Sequence, residues 1–133
     1  MRNLDVRLML MILFVWLAGC GSGQPLRVTT IQLGRSLNPD NTVASFTTVF
    51  TPTETVYLST VTTGVGSGRL GVRWTYNGQV IGNPEKQVAT RTDVVTEFHL
   101  QSPGGFPPGE YTAEILLNGQ PAGTRTFRVE TPR

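Results

Sequence analysis

The chain of 133 residues has one cysteine, one histidine and one lysine, and only 15% of its residues are charged. A single thiol excludes an intramolecular disulfide, so any fold must hold by core packing alone. One histidine and one cysteine fall short of the three or four ligands a zinc site takes, so no metal is expected. Eleven basic and nine acidic side chains leave a net charge of +2, with the arginines scattered. A nucleic-acid-binding domain clusters its basic residues, and no such stripe is present. The longest apolar run, Leu8 to Leu17, has about ten residues, half of the ~20 a membrane-spanning helix requires. Beyond residue 25 no segment repeats apolar residues at helical spacing, which excludes an amphipathic bundle.

What is present begins with an address. Arg2 and Arg7 precede the apolar run, and small residues end it. Basic start, short apolar centre and small-residue close form the pattern of a secretory signal peptide, here residues 1–19, expected as a lone helix over about Leu4 to Leu17. Leu17-Ala18-Gly19-Cys20 resembles the lipobox of bacterial lipoproteins at all four positions. The resemblance implies diacylglyceryl on the Cys20 sulfur, cleavage between Gly19 and Cys20, and acyl chains such as palmitate on the freed amine. Two or more chains suffice for stable anchoring, since each buried methylene contributes about 0.8 kcal/mol. Gly21 stands where the family's inner-membrane retention signal places Asp, which implies a cell outer membrane facing the periplasm or the exterior. Residues 20–25 read as the lipidated cysteine and a short tether, which holds the domain close to the bilayer.

The rest, residues 26–130, alternates apolar and polar residues between Gly, Pro and Asn breaks, the pattern of an all-β sandwich of seven to nine antiparallel strands. Leu26 to Leu33 forms the first strand, with a phase slip at Thr29-Thr30 that implies a bulge. Val43 to Phe50 is a looser strand, and Val56 to Val61 a third. Leu70, Val72, Trp74 and Tyr76 share one face of the clearest strand, and Asn77-Gly78 turns it into a hairpin. Val94 to Leu100 and Tyr111 to Leu117 alternate next, and Asn118-Gly119 forms a second hairpin turn. Phe127 and Val129 close the chain.

Mid-strand Trp74 and the run Pro108-Gly109-Glu110-Tyr111 resemble the core tryptophan and the tyrosine corner of immunoglobulin-like and fibronectin-type domains. The resemblance implies a structural core on Trp74 and Tyr111, with the Tyr111 hydroxyl bonding back to the upstream backbone. The family's second cysteine is replaced by Ala113, with Leu58 expected opposite, so the inter-sheet disulfide is absent. A fold this widely shared does not imply a function.

Candidate chemistry is sparse. His99 lies on the polar face of its strand beside Glu97 and Gln101, an ordinary exposed position. Gly64 to Gly68 lacks the helix a phosphate loop needs and reads as a flexible loop. Glu110 and Glu114 lie about 13 Å apart along one strand, too far for a glycosidase pair. Two binding candidates remain: the loop around Phe106, and an outward face bearing Arg73, Glu114 and Arg128, with Glu114 flanked by both arginines. The expectation is a non-enzymatic envelope lipoprotein without cofactors, which binds a protein partner or serves in assembly. The alternative is a carbohydrate-binding module for cell-wall or surface glycans, presenting Tyr57 and Phe106.

Overall fold

The computed structural model describes residues 23–133. The expected signal helix, the expected cleavage between Gly19 and Cys20 and the expected lipidation of Cys20 fall on residues outside those described. Nine strands follow in order: β1 (Arg27–Gly34), β2 (Val49–Phe50), β3 (Val56–Thr63), β4 (Gly66–Tyr76), β5 (Gln79–Gly82), β6 (Glu85–Thr90), β7 (Asp93–Leu100), β8 (Gly109–Leu117) and β9 (Gln120–Val129). They form a three-stranded sheet, β1-β3-β7, and a six-stranded sheet, β2-β9-β8-β4-β5, in which β6 also pairs with β4. Every pair is antiparallel except β2 with β9, which run parallel.

Local chemistry accounts for the turns. Asn77-Gly78 and Asn118-Gly119 all have positive φ, the backbone of a two-residue hairpin turn whose twist matches the flanking strands. The phase slip in the first strand is a bulge between Val28 and Thr30. It lets Val28 and Ile31 both turn inward across an odd spacing, as the sequence requires.

Three stretches differ from the sequence reading. Val43 to Phe50 keeps only two strand residues, because the chain there crosses from one sheet to the other. It first bonds to β1, through Thr47 N–H to the Leu33 carbonyl at 3.2 Å, and then reaches β9. The crossing is tight: a Cβ on Gly34 would lie 2.3 Å from the Ser45 carbonyl oxygen. Arg35 clamps its far side, reaching Glu54 at 2.7 Å and the Val49 carbonyl at 2.9 Å. Burial alone would raise the Glu54 carboxyl, but the Thr51 amide and Arg35 outweigh it and hold it below its ordinary range. The Gly64–Gly68 loop is shorter than expected, since Gly66 and Gly68 already pair with Thr90 and Val88 of β6. Strand β6 went unread because it buries a single apolar side chain, Val88, so no alternation shows.

The core lies between the sheets. Ile31, Leu33, Val56, Leu58 and Phe98 face it from the smaller sheet, and Leu70, Val72, Trp74, Tyr111, Ala113, Ile115 and Phe127 from the larger. Tyr111 stacks on Tyr76 at 4.4 Å and on Phe127 at 5.2 Å, and its hydroxyl donates to the Pro107 carbonyl at 2.6 Å. Tyr76 donates to the neighbouring Pro108 carbonyl at 3.0 Å. Trp74 and Phe50 meet Phe127 edge-on at 6.0 and 5.6 Å. Threonine extends the core of β3: Thr60 is fully buried and bonds the Thr96 carbonyl at 3.2 Å.

The Trp74 indole N–H has no acceptor among the described residues. Truncating the ring should cost about 3–5 kcal/mol, much of the roughly 5–15 kcal/mol a domain holds. Trp74→Ala should therefore leave the domain largely unfolded in a thermal melt. Trp74→Phe also removes an unsatisfied donor, and it should melt cooperatively, much closer to wild type.

Burial holds the Tyr111 hydroxyl above its ordinary range, and adjoining Tyr76 adds to the shift. A raised folded value means that the folded state keeps its proton longer than the unfolded chain does. That contribution is complete below about pH 10 and is lost as pH climbs toward the folded value. The melting temperature should fall above pH 10, and Tyr111→Phe should flatten that fall. At neutral pH the same substitution should cost only about 1 kcal/mol, the lost hydrogen bond.

Candidate functional site

The expected charged face is the outer surface of the six-stranded sheet, with β8 between β4 and β9. Arg73 and Glu114 sit directly across β4 and β8 and form an ion pair, Nη1 to Oε1, of 2.7 Å. Arg128 shares the face but does not flank Glu114. It lies opposite Glu110, with Glu110 at 3.8 Å and Glu130 at 3.7 Å, while Thr124 takes the position across from Glu114. Four residues of strand, about 13 Å, separate the two levels. The alternation of a strand fixes which face a side chain takes but not its level along the strand, and the level is where the expectation fails. The expected three-residue ladder is two separate pairs.

Beside Arg73 the sheet surface dips over Gly71, which has no side chain to fill it. Arg69, Asn83, Glu85 and Leu116 complete a cleft of about 140 Å³. Its two arginines are already engaged, Arg69 with Glu85 at 3.6 Å and Arg73 with Glu114.

Phe106 is not a binding platform. Only 5% of it is exposed, its ring meets Tyr111 edge-on at 5.8 Å, and its N–H bonds the Pro52 carbonyl at 2.8 Å. The prolines around it bend the chain so that the ring folds under into the aromatic stack. The carbohydrate reading loses one of its two aromatics here. The other, Tyr57, is half-buried and leans on His99 with the rings tilted by 49°. His99 is exposed and 3.2 Å from Glu97, which also receives Lys86 at 3.3 Å. No group of three metal-binding side chains exists among the described residues.

The structure instead exposes a seam that the sequence reading passed over. Where the chain crosses between the sheets, Phe46 is 62% exposed, the most exposed of the large hydrophobic side chains described. It borders a cleft of about 380 Å³ lined by Ile31, Gln32, Leu33, Thr48 and Arg125. The backbone beside it is open. Arg128 N–H bonds the Thr48 carbonyl, so the polar groups of Arg128 point away from β8. By the two-residue alternation of an antiparallel ladder, those of Thr126 and Thr124 point the same way. Strand β2 begins at Val49, opposite Arg128, so it does not reach them, and β1 lies alongside without pairing. Arg125 fills part of the gap, with Nε to the Ile31 carbonyl at 3.2 Å and Nη1 to the Thr124 carbonyl at 2.8 Å. In the sequence, the one available signal was Phe46 itself, an aromatic with polar or small residues two places either side.

No protein-family model matches the chain, and no curated protein matches it in sequence. Among solved structures, an immunoglobulin-like protein from Pseudomonas aeruginosa is similar over 83% of this chain and 100% of its own, with 16% identity and a TM-score of 0.58. The fold is immunoglobulin-like. An alkylpurine DNA glycosylase from Pseudomonas fluorescens, bound to DNA containing an abasic site analog, aligns at TM-score 0.48 and 15% identity, over 80% of this chain and 30% of its own. A beta-D-glucoside glucohydrolase from Trichoderma reesei aligns at 0.47 and 13%, over 80% and 19%.

On this immunoglobulin-like sheet the two arginines should be energetically independent. A double-mutant cycle on Arg73 and Glu114 should give a coupling of about 0.2–1 kcal/mol, the range for exposed pairs. The same cycle on Arg128 and Glu114 should give none beyond error. A coupling of equal size in both would restore the three-residue ladder.

Proposed function

We propose that this protein is an outer-membrane-anchored envelope lipoprotein whose immunoglobulin-like module binds a protein partner and catalyses nothing. The address rests on the lipobox Leu17 to Cys20 at the end of a short apolar run. The docking reading rests on one observation, the seam at Phe46. An exposed aromatic beside a cleft and a row of outward backbone groups matches how sheet edges take up an extended segment of another chain. Main-chain hydrogen bonds to Thr124 and Thr126 supply affinity, and a side chain lodged by Ile31 and Leu33 supplies selectivity. Arg125 must swing aside or re-pair for this to happen, and its exposed position permits that. The charged pairs around Arg73, Glu114 and Arg128 are then a solvated face that helps set strand register.

Two experiments test the two halves. The mature protein should begin at Cys20 and carry added lipid by mass spectrometry, and Cys20→Ala should leave an uncleaved precursor. Normal processing and release of Cys20→Ala would remove the lipoprotein reading. For docking, a photocrosslinker at position 46 in intact cells should trap one envelope protein that a crosslinker at position 73 does not. Phe46→Asp should abolish its co-purification while shifting the melting temperature by no more than a few degrees, as surface changes do. Equal trapping from both positions would move the docking surface elsewhere.

A further inference from the structure

The tether is shorter than its sequence implies, and its attachment selects one end of the sandwich. The Gln24 carbonyl accepts a hydrogen bond from Val65 N–H at 2.9 Å, which pins the chain to the β3–β4 turn. Four residue steps join Cys20 to Gln24, at most about 14 Å of extended chain. Next to that turn lie the β6–β7 turn, held by Gly64 N–H to the Thr92 carbonyl at 2.9 Å, and the start of β1, where Arg27 pairs with Thr63.

This end carries features that suit a lipid surface. Val65 is 46% exposed and borders a depression of about 440 Å³ with Gly66, Ala89 and Arg91. Arg27 and Arg91 are both exposed, and neither has a carboxylate within 4.0 Å among the described residues. Asp93 is the one acidic residue in these turns and strand starts. At the opposite end Arg35 pairs with Glu54 and Arg128 with Glu110 and Glu130, while Arg133 has no ion pair among the described residues.

We infer that the end formed by Gln24–Arg27, Thr63–Gly66 and Thr90–Asp93 rests on the bilayer, with Val65 at the headgroup boundary and Arg27 and Arg91 against anionic headgroups. This rests on the lipoprotein reading and adds an orientation to it. Strand β1 runs seven residue steps from Arg27 to Gly34, about 23 Å, so the seam at Phe46, which bridges to Gly34, is carried away from the membrane. Each cation near an anionic surface favours contact by roughly 5-fold at physiological ionic strength, and two by about 25-fold.

The test uses the full chain, processed and purified with its lipid and reconstituted into vesicles of brominated phosphatidylcholine with and without phosphatidylglycerol. Once the signal is removed, Trp74 is the only tryptophan, and it is buried, so Val65→Trp and Thr53→Trp each add one reporter, at opposite ends. The lipid should quench Val65→Trp at least 3-fold more than Thr53→Trp, more so with phosphatidylglycerol. Arg27→Gln with Arg91→Gln should remove the phosphatidylglycerol dependence. Equal quenching at both ends, or stronger quenching at Thr53→Trp, in a protein shown by mass spectrometry to be lipidated would overturn the orientation alone. A purified chain with no lipid would overturn both the orientation and the anchor.

Discussion

The aromatic stack centred on Tyr111 organises the larger sheet. The Tyr111 ring lies between Tyr76 and Phe127, and its hydroxyl ties β8 to the Pro107 carbonyl four residues upstream. Phe127 in turn receives the edges of Trp74 and Phe50, so one aromatic column joins β2, β4, β8 and β9. An intramolecular disulfide is not available to this chain, and Leu58 of β3 and Ala113 of β8 are both fully buried. The aromatic column lies within the six-stranded sheet, so it ties that sheet's strands together and does not replace a bridge between the sheets. Among the described residues the two sheets are held to each other by apolar contact and by a few polar links, such as Arg125 to Ile31 and Lys86 to the Glu97 carbonyl. Non-directional packing of that kind tolerates a seam between the sheets in a way that a covalent staple would not.

Residues with strict local demands were readable from sequence. Asn-Gly dipeptides fix their turns because few residues accept positive φ, and the Thr29-Thr30 slip could only be a bulge. Trp74 and Tyr111 stood out because a large aromatic alternating with apolar neighbours has one low-energy place, the core. Charged residues obey a weaker constraint. Alternation gave the correct face for Arg73, Glu114 and Arg128, but alternation by itself does not set how far a strand slides past its neighbour. The two-residue turn at Asn118-Gly119 does set it and already keeps Arg128 away from Glu114, while the bulge between Ile115 and Leu116 moves the partner of Glu114 by one residue, to Thr124. A single bulge moves the pairing, and its position is set by packing across the sandwich. At Gly123 a Cβ would lie 2.5 Å from the Ile31 side chain, so that packing is close.

Phe106 and Phe46 show the same limit from two sides. Both are single phenylalanines in polar or proline-rich stretches, and sequence gives little reason to rank one above the other. Phe106 is drawn inward because the Pro107–Pro108 bend is fixed from below by two tyrosine hydroxyls, which places the preceding residue over the core. Phe46 is left out because its segment is bonded to β1 on one side and β9 on the other within a few residues. A chain that crosses between sheets cannot keep its side chains in phase with both, and the residue at the crossing turns to solvent.

That crossing also explains why the exposed edge is where it is. A β-sandwich has unpaired edges, and natural sheets blunt them with charge, bulges or proline. Here β1 carries a bulge and β9 has Pro121 near its start, so the two edge strands are protected at the end nearest the tether. Farther along, β2 covers Arg128 and Val129. Between these guarded stretches lie Thr124 and Thr126, shielded only by the flexible side chain of Arg125. An edge left open by neglect would be open along its length. One guarded on both sides, and stopped in the middle by a single arginine, is what the proposed docking needs, since a partner segment would have to displace or bind that guanidinium. The short length of open edge adds a constraint of its own. Under the proposed docking it would accommodate only a few residues of partner strand, whose main-chain hydrogen bonds alone would hold weakly, so the cleft beneath Phe46 would have to contribute the selectivity.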